Sequence, residues 1–191
     1  MAGFISVGYF LTNLFFSVVL FLFWIRIFLR YFRISSLHPV SQAINTFTNP
    51  VIRPLEQLIY GKNAAPRRYD WVSLVLIIII EFLKFACLSL VVYGAVMPAS
   101  LLALFVAADL VVQPCNLMFY MILIRVIMSW INPAWQHPVA EVLAIVTRPL
   151  LILGRKIIPD ISGFDFSPFI IMIILKVITL FLSASMPLPL L

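Results

Sequence analysis

The chain has 191 residues, of which 64% are hydrophobic and only 10% are charged, and its mean hydropathy is +1.15. Soluble domains carry about 25% charged residues, so a soluble protein with a polar coat is excluded and lipid must cover most of the surface. The net charge of +6 suits anionic lipid headgroups. Because no compact basic domain presents this charge, we do not expect direct binding of nucleic acid.

Four apolar segments are long enough to cross a bilayer, which takes about 20 mainly apolar residues. In chain order, the predicted spans are residues 4–25, 71–95, 103–127 and 167–186. Pro114 lies within the third span and removes a helical hydrogen bond, which predicts a kink. Residues 98–102 are predicted to form a surface lead-in to this span. The predicted fold class is therefore an all-α membrane protein with about four transmembrane helices.

The two halves of the chain carry the same motifs at the same spacing. An arginine, a His-Pro-Val tripeptide and a threonine two residues before a proline recur at an offset of 99 residues. The matched positions are Arg26, His38 and Thr48 in the first half and Arg125, His137 and Thr147 in the second. Because internal repeats indicate a structural unit that occurs more than once, we predict two repeats, residues 1–97 and 98–191.

Lys and Arg residues are concentrated between the two spans of each predicted repeat. Residues 26–68 carry seven of them and residues 125–156 carry four, whereas residues 1–25, 94–113 and 185–191 carry none. By the positive-inside rule, the segments between the spans are expected to face the cytoplasm. Both termini would then face outward, and the two repeats would be parallel rather than inverted.

The segment between the spans of each repeat combines a polar stripe at helical spacing with internal prolines. The prolines stand at positions 50 and 54 in the first repeat and 149 in the second. We therefore predict pairs of short amphipathic helices in the cytoplasmic interface, with Thr48 and Thr147 as caps of the second helix of each pair. A shallow re-entrant arrangement stays open, because the broken backbone must be buried in protein or wetted.

A long motif in the second repeat resembles a known family signature. Residues 149–159 read Pro-Leu-Leu-Ile-Leu-Gly-Arg-Lys-Ile-Ile-Pro, and residues 163–168 read Gly-Phe-Asp-Phe-Ser-Pro. Both are similar to the signature of the YggT/YlmG family of small integral membrane proteins. The first repeat departs from the signature at Val72-Ser73. The residues assigned to this motif and its cytoplasmic face are Asn49, Pro50, Arg53, Pro54, Asp70, Arg125, Pro149, Arg155, Pro159, Asp165, Ser167 and Pro168.

The resemblance implies a membrane protein of bacteria or plastids that is not an enzyme. Members of that family are linked to cell division, to osmotic or ion tolerance and, in chloroplasts, to nucleoid organisation and haem attachment on a cytochrome. We therefore predict a scaffold or assembly protein with a basic cytoplasmic platform that contacts membrane lipids and membrane or division proteins. The alternatives are an ion or osmolyte transport component and a haem assembly factor. No cofactor, metal or catalytic residue is predicted.

Four charged residues lie well inside the predicted spans, away from the span ends, and have either a structural or a transport role. Further along the chain the offset between the repeats is 95 residues, because the first repeat has a loop four residues longer, so Asp70 aligns with Asp165 and Glu81 with Lys176. Glu81 and Lys176 therefore lie at matching depths near the middle of the bilayer, where a charge costs at least about 2.5–3.5 kcal/mol. Glu81 can pair with Lys84 one helical turn away, pair with Lys176 across the repeats, or contribute to a hydrated ion site. Asp109, closer to the outer face, can balance the remaining positive charge.

Four further residues at the cytoplasmic ends of the spans have structural interpretations. His38 and His137 could form an axial haem pair, but each precedes a proline, which favours a turn at a helix start. Arg26 and Arg125 end equivalent spans, where anchoring by lipid headgroups is the default. The Asp165-Phe166-Ser167-Pro168 segment is interpreted as the N-cap and first turn of the fourth span rather than as a binding site.

Overall fold

The computed structural model describes residues 2–61, 69–132, 136–157 and 165–184. These residues form six α-helices, and no strand occurs among them. In chain order the helices are α1 (Ala2–Tyr31), α2 (Pro39–Tyr60), α3 (Trp71–Tyr93), α4 (Ala99–Ile131), α5 (Pro138–Ile157) and α6 (Ser167–Ala184). The predicted all-α class is confirmed.

Four of the helices, α1, α3, α4 and α6, are long and apolar enough to cross a membrane, as predicted. Helices α1 and α4 have 30 and 33 residues, which gives lengths of about 45 and 50 Å at 1.5 Å per residue. Because the hydrocarbon core is only about 30 Å thick, both helices extend beyond it.

The residues predicted as a surface lead-in to the third span are helical from Ala99 onwards, and their position at the membrane surface stays a prediction. Ala99 already belongs to α4, and the carbonyl of Pro98 accepts the N–H groups of Leu101 and Leu102 at 3.0 and 3.1 Å. The helix therefore begins directly after Pro98. Proline has no backbone N–H and cannot donate a helical hydrogen bond to the preceding residues. Pro114 lies inside this helix without ending it, and the kink expected there stays a prediction.

The predicted pairs of short helices are also wrong, because α2 and α5 are each one continuous helix. Pro50 and Pro54 lie inside α2, and Pro149 lies inside α5. An internal proline costs about 3 kcal/mol, and burial of one face of each helix offsets this cost. Thr48 and Thr147 are therefore not caps. Their hydroxyls instead donate to the carbonyls four residues earlier, at 2.8 and 2.6 Å respectively.

The chain divides into two compact units, residues 1–33 with 41–110 and residues 34–40 with 111–191. In the first unit α1 packs against α3, and the rings of Phe85 and Phe105 join α3 to the start of α4 with centroids 5.3 Å apart. Leu20 and Ile77 are fully buried in this unit. Its apolar core therefore positions the polar side chains at the end of α1.

In the second unit α5 packs against α6. Val146, Leu151 and Ile171 are buried between them or beside them, and Gly154 allows the closest approach. A Cβ atom on Gly154 would lie 2.9 Å from Cβ of Ser167 and 3.0 Å from Cγ1 of Ile171. The contact between α5 and α6 therefore requires a residue without a side chain at position 154.

Replacing Gly154 with alanine is expected to lower the free energy of unfolding by about 1–3 kcal/mol, the usual effect of overpacking. Thermal unfolding of the detergent-solubilised protein, followed by tryptophan fluorescence, measures this loss. Gly3→Ala is the matched control, because nothing lies within 4 Å of the added methyl group and alanine favours a helix more than glycine does. Equal unfolding temperatures for both variants would contradict the close packing of α5 on α6.

Candidate functional site

A buried arginine in the first repeat organises the polar side chains that follow the first span. Nε of Arg26 donates to Oδ2 of Asp70 at 3.0 Å. Its Nη1 donates to side-chain oxygens of Asn45, Thr48 and Asn49 at 3.0, 2.7 and 2.8 Å. Since three of these acceptors lie on α2 and Asp70 precedes α3, one guanidinium group joins α1, α2 and the start of α3.

Arg30, one helical turn after Arg26, adds a second arginine to this group. Its Nη1 lies 2.8 Å from Oε1 of Glu56 and 3.2 Å from Oδ2 of Asp70. Asp70 also accepts the Ser73 N–H at 3.1 Å and so caps α3. We call Arg26, Arg30, Asn45, Thr48, Asn49, Glu56 and Asp70 the first-repeat cluster.

The burial of Arg26 corrects the prediction that it is anchored by lipid headgroups. Only 2% of this residue is exposed, and the acceptors that surround it belong to the protein. A buried guanidinium needs such partners, since burying an unpaired charge is very costly. Arg26 therefore holds the first repeat together at the end of its span.

The second repeat keeps the arginine–threonine hydrogen bond but surrounds it with different side chains. Nη1 of Arg125 donates to Oγ1 of Thr147 at 2.7 Å, the same distance as in the first repeat. The same Nη1 also approaches the carbonyl of Ala144 at 3.3 Å. Both repeats therefore attach their amphipathic helix to the preceding span through one arginine and one threonine hydroxyl.

Asp165, which aligns with Asp70, binds a different arginine. Its Oδ2 accepts from Nη2 and Nε of Arg155 at 2.6 and 3.0 Å, and its Oδ1 accepts the Ser167 N–H at 2.9 Å. Partial burial raises the pKa of the Asp165 carboxyl, but the hydrogen bonds from Arg155 and Ser167 outweigh this effect and hold the pKa below its ordinary value. The carboxylate form is therefore the one that fits this site.

Replacing Asp165 with alanine is expected to lower the free energy of unfolding at pH 7 by about 0.5–2 kcal/mol, the range for loss of a helix cap. The folded-state pKa is lowered, so this contribution is present above the unfolded pKa of about 3.9 and is lost as the pH falls through the folded pKa. Unfolding of wild type and Asp165→Ala, compared between pH 7 and pH 3, measures the difference. A gap between the two proteins that widens towards pH 3 would contradict this assignment.

Two cavities of the second unit share the side chain of Arg125. The larger has a volume of about 600 Å³ and is lined on its polar side by Ser129, Asn132, Gln136 and Glu141. The smaller has a volume of about 310 Å³, and three arginines are the charged residues among its described lining. These arginines are Arg125, Arg148 and Arg155.

A second group of charges lies buried inside the first unit. Nζ of Lys84 hydrogen bonds with Oδ2 of Asp109 and lies 3.8 Å from Oε2 of Glu81. All three residues are at most 1% exposed. The lysine of α3 is therefore shared between a carboxylate of its own helix and one of α4.

Lys176 lies in the second unit, where its Nζ is 5.9 Å from the centroid of the Phe119 ring. This distance is within reach of a cation–π interaction. The pairing of Glu81 with Lys176 across the repeats stays a prediction. The pairing of Glu81 with Lys84 is present as described, and Asp109 is the closer partner of that lysine.

The two histidines occupy the starts of α2 and α5. Nδ1 of His38 accepts the Val40 N–H at 3.3 Å, and Nδ1 of His137 accepts the Val139 N–H at 3.2 Å. Their geometry is that of helix caps, followed in both cases by proline at the first helical position. The axial haem pair stays a prediction.

The remaining motif residues lie on or beside the amphipathic helices. Arg53, Pro54 and Pro149 are exposed, Ser167 and Pro168 begin α6, and Pro159 lies outside the described residues. Among the described residues, no three His, Cys, Asp or Glu side chains are grouped to hold a metal ion.

Sequence reasoning missed the partners of Arg26, in particular Asn45 and Thr48. The repeat alignment had matched Arg26 with Arg125 and Thr48 with Thr147 at one offset. Asn45, Thr48 and Asn49 also stand at i, i+3 and i+4, on one face of a helix. The arginine and the threonine recur together in both repeats, and this recurrence could have predicted a contact between them.

Comparison with known proteins matches the chain twice to the CCB3/YggT family, over residues 5–91 and 101–186. The chain is 31% identical to the uncharacterised protein YggT of Escherichia coli K12, over 82% of this chain and 78% of that protein. It is 30% identical to the uncharacterised protein in the proC 3′ region of Vibrio alginolyticus, over 86% of each chain. It is 29% identical to an uncharacterised protein of Pseudomonas aeruginosa, over 85% of this chain and 81% of that protein.

No solved structure matches the chain. The two family matches agree with the two-repeat form predicted from the motifs, and they confirm the family resemblance.

Proposed function

The chain belongs to the CCB3/YggT family of multi-pass membrane proteins, and from this premise we propose that it is a non-enzymatic scaffold of the bacterial inner membrane. Helices α2 and α5 form its cytoplasmic platform, which binds anionic lipid headgroups and proteins of the division or envelope machinery. The observation that carries the proposal is the arginine–threonine hydrogen bond, which holds each amphipathic helix against its own repeat.

The exposed faces of α2 and α5 support this proposal. Leu58 of α2 is 84% exposed and Phe47 is 69% exposed, and both lie on the same helix as the exposed Arg53. On α5, Ile152 and Leu153 are exposed beside three basic residues. Amphipathic surfaces of mixed apolar and basic character suit a membrane interface or a protein partner.

Both termini are proposed to lie outside, with the segments between the spans in the cytoplasm, because Lys and Arg accumulate there. A cysteine introduced at Lys62 or at Arg155 is expected to react with a membrane-impermeant thiol reagent only after the inner membrane is opened, in a background lacking Cys87 and Cys115. A cysteine at Gly3 is expected to react in intact spheroplasts. A cytoplasmic Gly3 would overturn the proposed orientation.

Site-specific photocrosslinking tests the scaffold directly. A photoreactive amino acid at Leu58 or Leu153 is expected to capture the same membrane or cytoplasmic proteins in repeated experiments. Phe4, 89% exposed on α1, provides the control position at the other end of a span. Captured proteins that are the same from Phe4 as from Leu58, or none at all from Leu58 and Leu153, would reject the platform.

Ion or osmolyte transport is the second candidate function, favoured by the buried group of Glu81, Lys84 and Asp109. Ionisable side chains inside spans commonly mark ion pathways. Flux into proteoliposomes that contain the purified protein, compared with Glu81→Gln, tests this candidate. Flux lost in a variant that remains folded would favour transport over the scaffold, and no flux above protein-free liposomes would reject transport.

A further inference from the structure

The two repeats differ most where they align with the first-repeat cluster. At the offset of 99 residues, Asn45 aligns with Ala144, Asn49 with Arg148 and Glu56 with Arg155. The second repeat therefore lacks the two amide oxygens and one carboxylate that surround the arginines of the first repeat. Arginines occupy two of the three positions instead.

This exchange changes the charge of the site. In the first repeat Arg26 and Arg30 are balanced by Glu56 and Asp70, so the charged groups sum to zero. In the second repeat, three arginines line one cavity and the carboxylate of Asp165 pairs with one of them, Arg155, so these four described groups sum to a charge of +2. We call the corresponding residues of the second repeat the second-repeat cluster: Arg125, Thr147, Arg148, Arg155 and Asp165.

Arg125 also has hydrogen-bonding capacity that its neighbours do not use. Within the described residues both of its hydrogen bonds come from Nη1, and it forms no ion pair with a described carboxylate. A guanidinium group has five N–H donors, so Nε and Nη2 of Arg125 have no acceptor among the described residues. In the first repeat, by contrast, Nε of the equivalent Arg26 binds Asp70.

The three arginines line the same cavity of about 310 Å³. This volume is about ten times the roughly 30 Å³ that one water occupies in the liquid, so it has room for a tetrahedral anion. Its apolar lining comes from Ile145, Leu151 and Ile152. A positively charged cavity with an apolar wall at the end of a membrane span combines the features that an anionic amphiphile requires.

We propose that the second-repeat cluster binds a phosphate group, supplied by an anionic lipid headgroup or by a soluble phosphate compound. Arginine forks bind phosphate oxygens through pairs of parallel N–H donors, and the ligand takes the place that Asp70 and the amide oxygens fill in the first repeat. This inference rests on the proposed function, because it names the lipid chemistry that one half of the platform recognises.

Binding by the purified full chain in a neutral detergent tests the site. The probes are short-chain phosphatidylglycerol and, in a separate arm, inorganic phosphate, with short-chain phosphatidylcholine as the zwitterionic comparison. Arg148→Ala is expected to weaken binding about tenfold or more, since hydrogen bonds to charged groups are strong. Arg53→Ala removes another exposed arginine, from α2, and is expected to change binding less than about twofold, since an exposed surface charge contributes little.

A second variant tests the site without removing its central arginine. The double change Ala144→Asn and Arg148→Asn recreates the side chains of the first repeat, so it should satisfy Arg125 internally and abolish phosphate binding while the protein stays folded. Selective binding of phosphatidylglycerol assigns the phosphate to a lipid headgroup, and selective binding of inorganic phosphate assigns it to a soluble ligand.

Equal losses in Arg148→Ala and Arg53→Ala, or no binding of either anionic probe by wild type, would overturn the site. The photocrosslinking at Leu58 has a separate readout on the first repeat. Phosphate binding without captured proteins would therefore keep this inference and reject the protein scaffold, and the reverse result would reject only the phosphate site.

Discussion

Replacing Lys84 with methionine is expected to lower the free energy of unfolding by about 3–5 kcal/mol, the usual loss when one partner of a buried ion pair is removed. Asp109 would lose its hydrogen bond to Lys84, and Glu81 would lose its nearest cation in α3. Both carboxyl groups would stay in a region that water does not reach, where an unpaired charge is very costly. Reduced accumulation in the membrane and a lower unfolding temperature in detergent measure the effect.

Lys176→Met is the matched control for this prediction, because it makes the same substitution at an exposed position of α6. A small loss in Lys176→Met beside a large loss in Lys84→Met would place the structural pairing within the first unit. If Glu81 pairs with Lys176 across the repeats, then Glu81→Gln and Lys176→Met should each be destabilising and the double variant should recover. Additive losses would reject that pairing.

Replacing Arg26 with methionine is expected to cost about 3–5 kcal/mol as well, because it breaks a buried ion pair with Asp70. The same substitution leaves the side-chain oxygens of Asn45 and Asn49 without their donor. Arg26→Lys is expected to recover only part of the loss, since a lysine ammonium cannot reproduce the planar fork that binds Asp70 and α2 together. Chemical denaturation in mixed micelles gives the three free energies.

Arg125→Met serves as the comparison for Arg26→Met, since the two arginines are equivalent in the repeats. Among the described residues, Arg125 donates to Thr147 and to the Ala144 carbonyl. Its loss is therefore expected to be smaller, on the order of one hydrogen bond to a charged group, about 1.5–3 kcal/mol. Equal destabilisation by the two variants would mean that the first-repeat cluster adds nothing to the arginine–threonine bond.

The continuous form of α2 shows where local sequence signals are overruled. Pro50 and Pro54 are helix breakers in isolation, and the sequence pattern led to two short helices. The buried face of α2, which includes Thr48 and Ile52, is held against its repeat by the hydrogen bonds of Arg26. Tertiary contacts can exceed a local preference of about 3 kcal/mol per proline, and they do so in both repeats.

The sequence by itself determined the features that depend on composition and chain order. Apolar length determined the four spans, and matched motifs determined the two repeats, because the bilayer requires about 20 apolar residues whatever their neighbours are. Only the tertiary structure decided the choice of partners. Lys84 has Glu81 within its own helix, yet it lies closer to Asp109 of α4, and Asp165 binds Arg155 where Asp70 binds Arg26. Ion pairs form over a few ångströms, and only the packing of helices distant in sequence sets such distances.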